Sequence, residues 1–216
     1  MTDELELLKQ DWQKKEFDIP KLSYEDIHKM IWKKSSSIVK WILIISILEF
    51  VLPQFLYLMP GMEDSMKVYK NLGVSQYFLG LSILYYAVIF YFIYQFYLRF
   101  KEISVLDNSK NLMRKIIKTR RTVKYYVIFS LAMTAFFFIA MIIAIYLNND
   151  IVGAFPEMKA QLQDFSPDKL KVTLIVTLGI VGLFFIGVLS LFYFLIYGLL
   201  LRKLKKNYSE LRQLEF

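Results

Sequence analysis

Glu49 lies inside a long apolar stretch of this 216-residue chain, where an acid is the natural starting point for chemistry. It follows Trp41 by eight residues, ~12 Å along a helix rising ~1.5 Å per residue, which predicts a depth near the bilayer middle. A carboxylate there costs at least ~2.5 kcal/mol and so faces other helices rather than lipid. Ser46, Glu49, Pro53 and Tyr57 share one helical face. Pro53 lacks the amide that would bond the Glu49 carbonyl, which frees an acceptor and favours a kink. Two readings are open. One is a proton- or cation-linked site. The other is a protonated Glu49 bonded to a Tyr, Ser or Gln of another span, with Tyr86, Tyr94, Gln95, Thr134, Ser190 and Tyr193 as candidates.

Other chemistry finds little to work with. Cysteine is absent and His28 is the single histidine, so thiolate and imidazole metal sites are excluded. Gly-rich phosphate loops, H-E-x-x-H, G-x-S-x-G and paired intramembrane carboxylates are missing too. The expectation is a non-enzymatic protein with no cofactor and no metal.

The elements that position Glu49 are four apolar runs, at about 39–59, 77–98, 125–147 and 172–201. Each reaches the ~20 residues a helix needs to cross a ~30 Å hydrocarbon core. With 56% hydrophobic and 17% aromatic residues, one soluble core could not hide them. The predicted fold is an all-α membrane protein with four transmembrane helices and N-terminal cytoplasmic amphipathic helices. Gly179, Gly182, Ser190, Tyr193 and Tyr197 mark a packing seam on the fourth span, and Ala140 and Ala144 mark one on the third.

The flanks set an orientation. The linker 99–124 carries nine basic residues against Glu102 and Asp107. The tail adds Arg202, Lys203, Lys205, Lys206 and Arg212. The loops 60–76 and 148–171 show no such excess. The positive-inside rule therefore puts both termini and the linker in the cytoplasm, with lipid as the first partner. No signal-peptide pattern opens the chain, so the first span is expected to be an uncleaved anchor. Arg114, Lys118, Arg120, Arg121 and Lys124 read as headgroup or topology contacts. Nucleic acid is an improbable partner, since no reading module accompanies these charges.

Residues 1–37 form a cytoplasmic segment, distinct from the four-span domain 38–216. Leu5, Leu8 and Trp12 recur with helical spacing, and Asp18-Ile19-Pro20 ends that helix. Ser23-Tyr24-Glu25-Asp26 resembles a capping box. It opens a second helix with Tyr24, Ile27 and Ile31 on one face. Both apolar faces need the membrane or a docked partner. The linker predicts helical extensions of spans two and three, turning near Asp107-Asn108-Ser109. Pro60-Gly61 starts a short outer helix, and Phe155, Met158, Leu162 and Phe165 mark another.

The halves echo each other. Lys34, Val39-Lys40-Trp41 and Ser46 match Lys118, Val123-Lys124-Tyr125 and Ser130 at one constant offset. Ile93-Tyr94 and Leu98-Arg99 match Ile196-Tyr197 and Leu201-Arg202 at a second, larger one. The expectation is a duplicated two-helix hairpin, related about an axis along the membrane normal, with an insertion in the longer second outer loop.

Leu7-Leu8-Lys9-Gln10-Asp11-Trp12, Lys33-Lys34-Ser35-Ser36-Ser37-Ile38-Val39-Lys40-Trp41, Asn111-Leu112-Met113 and Thr119-Arg120-Arg121-Thr122-Val123-Lys124-Tyr125-Tyr126 carry a resemblance. Together they resemble an uncharacterised four-span inner-membrane family of Bacteroidetes-type bacteria. The resemblance implies a link to alternative sigma factors, hence an anti-sigma-like regulator or scaffold docking a soluble cytoplasmic partner. The alternative is a small transporter or channel-like homo-oligomer using Glu49.

Overall fold

A computed structural model describes Glu6 and residues 23–56, 62–104, 108–155 and 166–214. Among them there is no strand. The helices are α1 (Tyr24–Leu56), α2 (Met62–Asn71), α3 (Ser75–Ser104), α4 (Ser109–Leu147), α5 (Ile151–Ala154) and α6 (Pro167–Tyr193). A π-helical turn, Phe194–Gly198, joins α6 to α7 (Leu199–Leu214) in one rod. Four helices are long and apolar enough to cross a membrane: α1, α3, α4 and the α6–α7 rod.

Local chemistry sets their ends. The amide of Asp26 donates to Ser23 Oγ at 3.1 Å while the Ser23 hydroxyl donates to Asp26 Oδ2 at 2.7 Å, which starts α1 with the expected capping box. These bonds hold the Asp26 carboxyl below the usual carboxylate range. Gly73, at φ +72°, takes the left-handed turn between α2 and α3. Ser166 caps α6, and Pro167 occupies a first-turn position that lacks a helical partner anyway. The outer helix foreseen after Pro60-Gly61 is α2. Most of the one foreseen from Phe155 onward lies outside the described residues, as do Leu5, Leu8 and Trp12.

The segment 1–37 and the four-span domain join within one helix. α1 passes unbroken through Ser35-Ser36-Ser37, so the second N-terminal helix and the first span are a single rod. Serine weakens helices when its hydroxyl competes for nearby backbone. Ser35 is instead fully buried and accepts from Asn207 Nδ2 at 2.9 Å, across to α7.

The rods pack in a ring: α1 on α3, α3 on α4, α4 on the α6–α7 rod, and α7 back on α1. The burial pattern recurs between the halves, with α1 resembling α4 and α3 resembling the α6–α7 rod. Burial fixes the register. Ser35, Val39, Ile42 and Ser46 are buried in α1, and their counterparts Thr119, Val123, Tyr126 and Ser130 are buried in α4 at the offset read from the motifs. In the other pair Ile89, Phe96, Arg99 and Ile103 answer to Tyr197, Leu204, Asn207 and Leu211, again at one constant offset. This second offset is five positions longer than the one the motifs suggested. The motifs set Tyr94 against Tyr197, whose environments differ: Tyr94 is 58% exposed, whereas Tyr197 is 1% exposed.

The main core lies at the end where the basic residues gather, around Ile31, Ile103, Leu112, Ile116, Leu204 and Leu211. A smaller core of Leu72, Ile145, Ile151, Ala154 and Leu170 closes the opposite end. Between them the outward surface is apolar, as lipid requires, with Leu183 and Phe184 among its most exposed side chains.

Candidate functional site

Glu49 faces the ring interior and accepts a 2.5 Å hydrogen bond on Oε2 from the Tyr126 hydroxyl of α4. Phe92 and Phe96 of α3 pack edge-to-face with the Tyr126 ring, at centroid distances of 5.5 and 5.4 Å. Tyr193 and Tyr197 flank it from the last rod, at 6.4 and 5.9 Å. The π turn carries Tyr197 to the carboxyl. There the Tyr197 hydroxyl and Glu49 Oε1 are buried side by side, and among the described residues neither makes a hydrogen bond of good geometry. Ser130 Oγ is a third such atom on α4.

A tyrosine of another span thus bonds Glu49, but not one of the candidates that led to the expectation. Tyr86 pairs with Gln54, Gln95 with Arg99, and Thr134 with the Ser130 carbonyl. Tyr94 is exposed. Tyr193 contributes its ring, as above. Pro53 also departs from expectation, since it is exposed. Four residues advance a helix by about 40° beyond one full turn, enough to rotate it away from the interior.

Beyond Lys124 the four rods stay bundled. Trp32 Nε1 donates to the Ile103 carbonyl at 2.7 Å. Tyr24 and Ser109 share a 2.8 Å hydroxyl bond. Lys115 Nζ donates to the Glu102 carbonyl at 2.8 Å, satisfying an acceptor in the last turn of α3. Arg99, 7% exposed, donates to Glu102 at 2.6 Å and to Gln95 at 3.0 Å. These contacts overturn part of the docking expectation. Ile31 is buried and Ile27 packs against the same core, so that face is occupied within the chain. Ile27 and Ile31 of the stripe meet the chain's own bundle, while the Tyr24 ring stays half-exposed.

The basic residues behave as a surface. Arg114, Lys118, Arg121 and Lys124 are exposed, while Arg120 is half-buried. Arg121 donates to the Tyr125 hydroxyl at 2.9 Å and lies over its ring. Among the described residues no three acidic or imidazole side chains converge as a metal site would need.

The fold and its intramembrane carboxyl define an all-helical membrane protein of four long rods. Within that class the chain belongs to the family described as Domain of unknown function (DUF8845), whose model matches residues 25–216. The match opens at the first turn of α1, so the extension of α1 beyond its apolar part belongs to the family's domain. No curated protein and no solved structure matches the chain.

Proposed function

We propose that this is a multi-pass protein of the bacterial inner membrane with both termini cytoplasmic. Its basic end acts as a rigid platform, a regulator or scaffold that docks an acidic surface of a soluble cytoplasmic protein. The observation that carries this reading is how far the bundle continues past the apolar spans. α4 alone has 39 residues, ~58 Å, against a hydrocarbon core of ~30 Å. Arg114 stands ten residues from Lys124, ~15 Å further from the spans. That exceeds the Debye length of ~8 Å at physiological salt, so headgroups explain Lys124 and Arg121 better than Arg114. Crossing a bilayer needs no such extension, whereas presenting an ordered charged face to a protein does.

A sigma factor is the partner that the family resemblance implies. A transporter has less support, because aromatic rings rather than further charges surround Glu49. The test is a photoreactive side chain at position 114 in living cells. The expected product is an adduct with one soluble protein, lost on reversing the charges of Lys118 and Arg121. Adducts with lipid alone would remove the reading.

A further inference from the structure

We propose that Glu49, Tyr126 and Tyr197 form a proton-binding site, in which a proton on Glu49 Oε1 is donated to the Tyr197 hydroxyl and ties α1 to the π turn. Placement and charge point to it. Tyr126 donates to Oε2, and Oε1 lies buried beside the Tyr197 hydroxyl. The two hydroxyls offer this carboxyl hydrogen bonds but no positive charge, so a proton is what neutralises it: hydronium gives one up as water, an O–H bond forms at Oε1, and the Tyr197 oxygen accepts from it. Release to water reverses the step and leaves a bare carboxylate among aromatic rings.

Charge agrees. Among the described residues, the titratable groups that face Glu49 are Tyr85 from α3, Tyr126 from α4, and Tyr193 and Tyr197 from the last rod. None is a cation. A buried carboxylate without a compensating charge is among the most costly groups a membrane span can hold.

The duplicated frame supplies independent support. At the offset that relates α1 to α4, the position equivalent to Glu49 in the second half is Met133. Tyr126 corresponds to Ile42 in the first half, and Tyr197 to Ile89. Ile42 and Ile89 are as buried as the two tyrosines. The same place in the ring is thus filled once by Met133, Ile42 and Ile89, and once by Glu49, Tyr126 and Tyr197. Packing is satisfied by the apolar set, so the polar set answers another need. It also sits where the last rod departs from α-helical geometry, and π turns recur at functional sites.

Infrared difference spectroscopy of the full chain in lipid nanodiscs tests this at neutral pH. The parent is expected to show the carbonyl band of a protonated carboxyl, sensitive to deuterium oxide. Glu49→Gln, nearly isosteric, should abolish it. Tyr126→Phe and Tyr197→Phe should each move it to higher frequency, since each removes one hydrogen bond from the group. A parent spectrum without the band, or a band that Glu49→Gln leaves in place, would overturn the proposal. So would loss of the band when sodium is added at constant pH, because the site would then hold a metal cation instead.

Discussion

Removing the Tyr126 hydroxyl leaves a buried oxygen of Glu49 without its donor. Tyr126→Phe should therefore lower stability by about 1–3 kcal/mol in reversible unfolding from detergent micelles. Glu49→Gln should cost less, because its amide oxygen still accepts from Tyr126. Equal losses from both variants would refute that bond. Asp26 gives a pH dependence at the far end of α1. Its carboxyl is held below the usual range by Ser23, so its contribution is present above the unfolded value of 3.8 and lost as pH falls through the folded one. Amide exchange in the first turn of α1, at Ile27, should rise on that acid side, and Ser23→Ala should abolish the dependence. Glu49 stood out in the sequence because an acid in an apolar run is rare. Its partner did not, since which tyrosine meets it depends on the axial register between helices. Tyr126 sits beside Lys124 and reads as an interface anchor. The signal that finds it is the internal echo, which sets a hydroxyl where the other half has Ile42.

Helix contacts separate residues that look alike in sequence. A Cβ added at Gly182 would meet Phe138 Cδ1 at 2.9 Å, while one at Gly179 meets nothing within 4 Å. Gly182→Ala should thus destabilise by about 1–3 kcal/mol through overpacking. Gly179→Ala should be neutral or gain up to about 1 kcal/mol from helix propensity. Thermal unfolding of both in the same lipid decides it; equal effects would contradict this register. Ser35 and Asn207 form a second seam. Either single change to Ala leaves a buried polar partner, costing about 1–3 kcal/mol, and the double change should cost less than the two losses added. Composition shows the serine run as a weak helix former, whereas the burial of Ser35 depends on a residue 172 positions away. The face of Tyr24, Ile27 and Ile31 was legible for the same reason that its occupant was not. Periodicity reveals an apolar stripe without saying what covers it.

The four rods have one organisation from end to end: two hairpins in one ring, lipid-facing in the middle and sealed by a separate core at each end. Length and hydropathy made the spans legible, and short motifs made the repeat legible at one hairpin arm. The second arm needed burial to correct its spacing, because aromatic residues recur so densely there that a shifted match looks equally good. The repeat also explains why one polar cluster is informative, since its counterpart shows the apolar solution. In the proposed orientation the basic ends of these rods stand together in the cytoplasm, and the docking platform depends on it. The parent chain contains no cysteine, so single replacements report cleanly. Lys118→Cys and Asn149→Cys, each treated with a membrane-impermeant maleimide in spheroplasts, give the most direct measurement. Asn149→Cys should label in intact spheroplasts, and Lys118→Cys only after the membrane is opened. Labelling of Lys118→Cys in intact spheroplasts would contradict the account.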